Sequence, residues 1–158
     1  IQLINCSMDN INFIEKLIRN KSFDLIHSTY AIYYSKNPLK LLNYLKKKLK
    51  KKSKLIITVP GEKNTLKELL KIKEDKKKLK KNEIENFFIN NFDNVKINIL
   101  NNYLDVNNFS DIINFYKSSG IYNRKKLNFF SKTVKKKLIK YKSFKIYKSS
   151  MMFIGAKS

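Results

Sequence analysis

Apolar residues between positions 23 and 59 follow the pattern of a strand, a helix and a second strand. Leu25 and Ile26, in the run 23–26, precede a short aromatic loop and predict a strand covered on both faces. Residues 55–59 form a β-branched run that predicts a second buried strand, ended by Pro60 and Gly61. This order predicts a parallel β-α-β unit, whose first loop lies at the sheet edge where such folds bind ligands.

The helix between these strands has a clear start and one apolar stripe. Asn37 is a favourable N-cap, and Pro38 suits the first helical position. Leucines then recur every three or four residues and predict the buried face: Leu39, Leu42, Leu45 and Leu49.

The flanking sequence continues the alternation of strands and helices. A short strand is predicted over 2–6 and a helix over 11–18, followed after the β-α-β unit by a long charged helix from Asn64. Asn82 is predicted to cap another helix, with Glu85 completing a capping box, and Val95, Ile97 and Ile99 alternate as in a half-buried strand.

The last third predicts two helices and a final strand. Ser110 is predicted to cap a helix through Tyr116 that closes near Gly120, and Asn123 to start a further helix. A strand over 144–154, bulged around Ser149 and Ser150, completes the pattern. Because no helix lies squarely between the last two strands, we expect an antiparallel edge on a mostly parallel sheet.

Composition sets broad limits. A chain of 158 residues is long enough for one domain, and its single cysteine, Cys6, excludes an internal disulfide and favours a reducing, cytoplasmic compartment. No apolar run approaches the ~20 residues of a membrane helix. The chain begins with Ile and shows no signal-peptide pattern, so we expect it to begin inside a longer protein.

The net charge of +23 has two interpretations. It is typical of proteins that bind nucleic acid. However, only Arg19 and Arg124 are arginines, whereas nucleic-acid sites favour arginine for bidentate contacts, and Lys, Asn, Ile, Phe and Tyr share A/T-rich codons. We favour genome composition as the origin of the charge and keep nucleic acid as an alternative partner.

Three segments together resemble a known enzyme family. They are Phe23-Asp24-Leu25-Ile26 with the following tyrosines, residues 54–60 after the Leu/Lys helix, and residues 115–122 before a basic helix and a last strand. In this order they resemble the C-terminal two-thirds of a class I S-adenosylmethionine-dependent methyltransferase.

The resemblance implies an α/β, Rossmann-like three-layer sandwich with strand order 3-2-1-4-5-7-6, truncated at its N-terminus. It further implies one partial domain over 1–158, in which helical segments 62–92 and 109–140 cover the substrate pocket. The sequence departs from the family in two places. Lys51-Lys52-Ser53 replaces the usual Pro-Gly-Gly turn, and no glycine-rich cofactor loop occurs, so that loop is expected upstream of Ile1.

The resemblance also implies a set of site residues. Ser7, Met8 and Asp9 match the loop that holds the adenine of S-adenosylmethionine, although an ordinary polar turn is equally consistent. Ser28 and Thr29 would support the methionine end of the cofactor, largely through their backbone. Tyr30, Tyr33 and Tyr34 would line the methyl-acceptor pocket, where aromatic faces attract cations, with Ile32 and one tyrosine in the core.

His27 is the only histidine, so no histidine-based metal cluster is expected. Its ordinary pKa suits a general base, but a structural role is the commoner one. Tyr116 and Tyr122 are candidates for a lid, with core packing as the alternative. The leading hypothesis is methyl transfer to a small molecule. The alternatives are an RNA or protein methyltransferase that uses the lysine-rich surface, and a non-catalytic basic binding module.

Overall fold

The computed structural model describes residues 5–72 and 80–158. Its elements in chain order are α1 (Ile11–Ile18), β1 (Phe23–Thr29), a 3-10 turn (Ile32–Tyr34), α2 (Pro38–Lys47), β2 (Leu49–Asn64), α3 (Thr65–Leu69), α4 (Lys81–Asn91), β3 (Asn94–Val106), α5 (Phe109–Ser118), a second 3-10 turn (Arg124–Lys126), α6 (Leu127–Tyr141) and β4 (Phe144–Ala156). The predicted strand over 2–6 lies largely outside the described residues. Only Asn5 and Cys6 of it are described, and they form no strand.

The four strands form one sheet in the order β1-β2-β4-β3. β1 and β2 are parallel, with Ile26 opposite Leu55 and Thr29 opposite Thr58. The sheet therefore contains the predicted parallel β-α-β unit.

The other two pairs of strands are antiparallel. Gly61 lies against Ser149, and the Tyr147 N–H donates to Thr65 Oγ1, so positions rise along β2 as they fall along β4. The same holds for β3 and β4, because the Asp93 N–H donates to the Ala156 carbonyl while Tyr103 lies beside Tyr147. The observed order corresponds to the last four positions of 3-2-1-4-5-7-6, which confirms the α/β, Rossmann-like topology for these strands.

The β1–β2 register breaks where the Pro-Gly-Gly turn was replaced. Phe23 pairs with Leu49 but Leu25 pairs with Lys54, so β2 contains extra residues at this point. Lys52 has a φ of 58° and donates to the Lys157 carbonyl, while Lys157 donates to the Ser53 carbonyl. This is the hydrogen-bond pattern of a bulge with a left-handed first residue, a position usually taken by glycine.

The described residues divide into two compact units. Unit 1 comprises 5–60, 80–99 and 151–158, and unit 2 comprises 61–72 and 100–150. Each unit has its own hydrophobic core. That of unit 1 includes Leu42, Leu55, Ile57, Phe88 and Phe153, and that of unit 2 includes Leu66, Ile112, Tyr116, Phe130, Val134 and Phe144.

The predicted helix starts were correct at three positions. The side chain of Asn37 accepts from Lys40 N–H, that of Asn64 from Lys67 N–H, and that of Asn123 from Lys125 N–H. In each case one polar side chain satisfies a backbone donor within a few residues, so the signal is entirely local.

Two other caps were placed wrongly. The helix predicted to start at Asn82 starts two residues earlier, because Glu83 accepts the Lys80 N–H at 2.7 Å. The helix predicted to start at Ser110 is capped by Asn108, whose side chain accepts from the Ser110 N–H and hydroxyl. It ends at Ser118, before Gly120.

The buried face of α2 differs from the predicted one, and α3 is shorter than the predicted helix. α2 buries Leu41 and Leu42, whereas Leu39 is 37% exposed. Because α2 ends at Lys47, Leu49 lies outside the helix and is buried in β2 instead. The helix from Asn64 is only five residues long, and Leu66 and Leu70 are buried. Its expected continuation past Ile72 lies outside the described residues. On α4, Ile84, Phe87 and Phe88 are buried, whereas Ile89 is 58% exposed.

The central strands run further than predicted. β2 continues through Pro60 and Gly61 to Asn64, and Gly61 permits a backbone approach to Ser149 that a side chain would obstruct. Along β4 the buried positions change from even to odd numbers between Ile146 and Ser149. This change of face supports the predicted irregularity around Ser149, whose hydroxyl accepts the Lys63 N–H at 2.9 Å.

Candidate functional site

The chain leaves β1 through a sharp turn at Tyr30. This residue has a φ of 53°, uncommon for an aromatic side chain, and its N–H donates to the Thr58 carbonyl at 2.8 Å. Ile32 is then buried in the core of unit 1. The turn is thus fixed at both ends, and it holds the following tyrosines at the carboxyl edge of the parallel pair.

The loop after Cys6 is tied directly to this edge. Asp9 Oδ1 accepts from the Ser35 hydroxyl at 2.5 Å and from Lys36 N–H at 3.0 Å, while Oδ2 accepts from Lys36 N–H at 3.2 Å. The Ser35 hydroxyl, followed by the Lys36 N–H, lowers the pKa of Asp9 below its ordinary value. Asp9 therefore acts as an anionic clamp between two loops.

The neighbours of Asp9 have mainly local roles. Ser7 Oγ accepts the Asp9 N–H at 3.3 Å, which closes the turn, and Met8 packs against the core of unit 1. Ser35 and Lys36 were not among the predicted site residues. No local pattern marks them, because their partner lies 26 and 27 residues earlier in the chain.

One face of β1 is open, contrary to the prediction of a strand covered on both faces. Leu25 is 53% exposed, and His27 and Thr29 on the same face are also exposed. Among the described strands β1 lies at an end of the sheet, where its side chains have fewer neighbours. His27 Nε2 lies 2.8 Å from Thr29 Oγ1, so the hydroxyl orients the ring. Ser28, on the opposite face, is half-buried.

Two tyrosines of the turn, Tyr33 and Tyr34, are in ring contact. The ring centroids of Tyr33 and Tyr34 are 4.2 Å apart, with a tilt of 37°. Desolvation raises the pKa of the Tyr33 hydroxyl, with further contributions from Tyr34 and Tyr30. Tyr33 packs on the core, whereas Tyr34 is 67% exposed. The core placement of Ile32 and one tyrosine agrees with the expectation, and the pocket-lining role of the tyrosines stays a prediction.

The two tyrosines considered as a lid belong to unit 2. Tyr116 is fully buried, and its hydroxyl both donates to the Asn123 carbonyl and accepts the Asn123 N–H, at 3.2 and 3.1 Å. Its ring packs on Phe130. Tyr116 is thus a core residue, as the alternative interpretation held. Tyr122 is 40% exposed and meets the Tyr116 ring edge-on at 5.3 Å.

The described residues offer no metal centre and no membrane-spanning helix. No group of three or more His, Cys, Asp or Glu side chains within 5–72 and 80–158 is placed to hold a metal ion. Cys6 is a free, half-buried thiol. None of the described helices combines the length and the apolar character needed to cross a membrane.

Solved structures that are similar to this chain include two from Bacillus species. One is a candidate methyltransferase from Bacillus halodurans C-125, with 12% identity and a TM-score of 0.48 over 87% of this chain and 65% of that protein. The other is the YcgJ protein from Bacillus subtilis, with 14% identity and a TM-score of 0.44 over 87% of this chain and 64% of that protein.

This chain therefore spans slightly less than two thirds of the length of either protein. No protein-family model and no curated protein matches the sequence. At these identities the likeness assigns no activity, and the architecture rests on the strand order observed in this chain.

Proposed function

We propose that this chain is part of a class I S-adenosylmethionine-dependent methyltransferase that acts on a small-molecule acceptor. The observation that carries the proposal is the strand order β1-β2-β4-β3, with β1 parallel to β2 and β4 antiparallel to both its neighbours. In this topology ligands bind at the carboxyl ends of the parallel strands, where the Tyr30 turn and the Asp9 clamp lie.

The polar groups at this edge are suited to part of an S-adenosylmethionine site. Asp9 Oδ2 accepts only the longer bond from Lys36 N–H, so it retains capacity for the exocyclic amine of adenine. Ser28 and Thr29 would support the amino-acid end of the cofactor through their backbone. The chain contributes only part of the site, because its three glycines, Gly61, Gly120 and Gly155, form no glycine-rich loop.

The cofactor, when bound, supplies an electrophilic methyl group on a sulfonium. That methyl group would pass to a lone pair of the acceptor, with the carbon–sulfur electron pair remaining on sulfur. The protein contributes mainly by positioning the acceptor in line. Tyr30, Tyr33 and Tyr34 would hold the acceptor through their aromatic faces, and exposed His27 would receive its proton.

Calorimetric titration of the whole protein with S-adenosylmethionine tests this proposal. We expect saturable binding, weakened by Asp9→Ala and little changed by Asp111→Ala, an acidic control in unit 2. Residues 1–158 alone should bind weakly or not at all, because they lack a glycine-rich loop. Absence of binding to the whole protein would refute the enzyme, and submicromolar binding to 1–158 would refute the assignment of a partial site.

The role of His27 has a separate test. His27→Gln should lower kcat and alter the pH profile of kcat while KM changes little. Thr29→Val, which removes only the orienting hydroxyl, should have a smaller effect on kcat. Equal, small effects of both substitutions on kcat, with an unchanged pH profile, would assign His27 a structural role.

A further inference from the structure

Acidic residues are absent from the last part of the chain. All twelve occur by Asp111, whereas residues 112–158 contain thirteen lysines and arginines and no Asp or Glu. An even distribution would place about three or four acidic residues there. Codon composition does not explain their absence, because the codons of Asp and Glu are also rich in A and T. The uneven placement of the acidic residues therefore concentrates positive charge in this segment.

This segment builds one side of a groove in unit 2. The groove has a volume of about 470 Å³, and its lining includes Thr65, Glu68, Lys137, Tyr141, Lys145 and Tyr147. It combines two lysine ammonium groups, two phenol rings, the Thr65 hydroxyl and one carboxylate, that of Glu68, which accepts the Asn64 N–H at 3.3 Å. The lysines therefore outnumber the single acidic side chain of the lining. We call it the lysine–tyrosine groove.

The aromatic rings in and beside this groove are accessible. Tyr141 is 60% exposed and Tyr147 41% exposed, and the Tyr147 ring lies 5.9 Å from that of Tyr103, which is 65% exposed. Isolated exposed tyrosines are ordinary, but three within one basic surface form a set of flat platforms. Such platforms stack nucleobases regardless of sequence.

The lysines of this surface contact rings. Lys140 Nζ lies 4.8 Å from the Tyr141 ring centre, Lys145 Nζ 5.8 Å from that of Tyr103, and Lys137 Nζ 5.5 Å from that of Phe144. Among the residues that the structure describes, none of these three ammonium groups forms an ion pair with a carboxylate. Each ammonium group is therefore available to pair with an anionic partner, and each lies within 6 Å of the centre of an aromatic ring.

We propose that the lysine–tyrosine groove binds single-stranded nucleic acid. The lysines would contact successive phosphates, and Tyr141 and Tyr147 would stack on exposed bases. A duplex keeps its bases stacked on one another and would use only the charge. An anionic membrane would use the exposed apolar residues Phe129 and Ile139 of α6 and would not need a polar groove. This proposal is independent of methyl transfer.

Fluorescence anisotropy with a labelled 20-nucleotide oligouridine tests the proposal on the 158-residue chain. We expect Tyr141→Ala/Tyr147→Ala to weaken binding tenfold or more, since stacking on each ring is typically worth at least several-fold. Tyr141→Phe/Tyr147→Phe should retain binding, because it keeps both rings. Circular dichroism of each variant checks that the fold is intact.

The charge contribution has a matched control. Lys137→Gln/Lys145→Gln should weaken binding and reduce the slope of log affinity against log salt by about 1.4. Lys40→Gln/Lys96→Gln removes the same charge from exposed positions in unit 1 and should leave the slope nearly unchanged. If both double substitutions change the affinity and the salt slope equally, binding reflects the overall charge of the chain, and the groove is not the binding site.

Two further outcomes would overturn the proposal. In one, duplex RNA of the same length binds as tightly as the single strand and the alanine variants bind like the unmodified chain. In the other, phosphatidylserine vesicles bind the chain, Phe129→Ser/Ile139→Ser abolishes that binding, and oligouridine does not bind. Preference for the single strand with ring-dependent affinity is the result that supports it.

Discussion

Replacement of Gly155 by alanine should destabilise the protein through a clash with two phenylalanine rings. Gly155 is buried in β4, and a Cβ at this position would lie 2.5 Å from Phe92 Cγ and 2.9 Å from Phe88 Cδ1. Carbon atoms in favourable contact are ~3.5 Å or more apart, so the Phe92 ring would have to move by about 1 Å.

The surrounding packing limits that movement. The rings of Phe88 and Phe92 are stacked at 5.2 Å, and Phe153 lies 5.6 Å from Phe88, all within the core of unit 1. Overpacking of this kind typically costs about 1–3 kcal/mol. The lower backbone entropy of unfolded alanine offsets about 0.4–1 kcal/mol, and Gly155 has no positive φ that would add strain. We expect a net loss of about 1–2 kcal/mol.

Thermal unfolding followed by circular dichroism measures this loss. For a chain of this size, we expect Gly155→Ala to lower Tm by about 2–8 °C. Gly120→Ala is the matched control, because a Cβ at Gly120 meets no atom within 4 Å. It should change Tm little.

A double substitution separates the clash from other effects. Phe92→Ala removes Cγ and every ring atom, so Gly155→Ala should cost less in that background, with a coupling energy of at least ~0.5 kcal/mol. If Gly155→Ala is as stable as the unmodified chain, or if the two substitutions simply add, the close packing of Phe92 on Gly155 is refuted.

Three further substitutions test other parts of the structure. Tyr116→Phe should cost about 1 kcal/mol in urea unfolding, because it removes the hydroxyl that bonds to the Asn123 N–H and carbonyl; a neutral effect would contradict those bonds. Leu42→Ala should cost about 2–5 kcal/mol, since Leu42 is fully buried, whereas Leu39→Ala, at 37% exposure, should cost much less. Asp9→Asn should reduce stability at neutral pH. The pKa of Asp9 is lowered in the folded state, so its contribution is present above the ordinary value of 3.8 and disappears as pH falls through the folded value. Unfolding curves of the two proteins should therefore converge in acid, and a constant difference at all pH values would refute the clamp.

Several features followed from neighbouring residues alone. Asn37, Asn64 and Asn123 each satisfy a backbone donor two or three positions away, so a short stretch of sequence is sufficient to identify the cap. The β-branched run in β2 and the alternation of Val95 and Ile97 likewise indicate strands through their own side-chain period.

Competition between equivalent local signals caused the misplaced caps. Asn82 and Ser110 both have the right chemistry, but Glu83 and Asn108 reach the free backbone donors instead. Sequence chemistry does not rank Glu83 above Asn82 or Asn108 above Ser110, because each pair offers two adequate acceptors one or two residues apart. The same limit applies to β2, where Pro60 and Gly61 suggested an end although the strand continues to Asn64.

The candidate site could be predicted only in part. The residues 27–34 were placed correctly at the end of β1, because the β-α-β pattern fixes that edge. The Asp9 clamp was not predicted, since Ser35 and Lys36 are distant in sequence and carry no distinctive motif. The groove in unit 2 was not predicted for the same reason. Its lining residues Thr65 and Glu68 are far in sequence from Tyr141 and Tyr147, and only folding brings them together.

The sequence by itself determined the alternation of strands and helices, three of the caps and the parallel pair. These features depend on side-chain period and on hydrogen bonds between near neighbours, which are properties of short segments. Only the tertiary structure decided the open face of β1, the division into two cores and the bond between Asp9 and Ser35. A pattern specifies which residues share a face, but burial of that face depends on what distant segments bring to it.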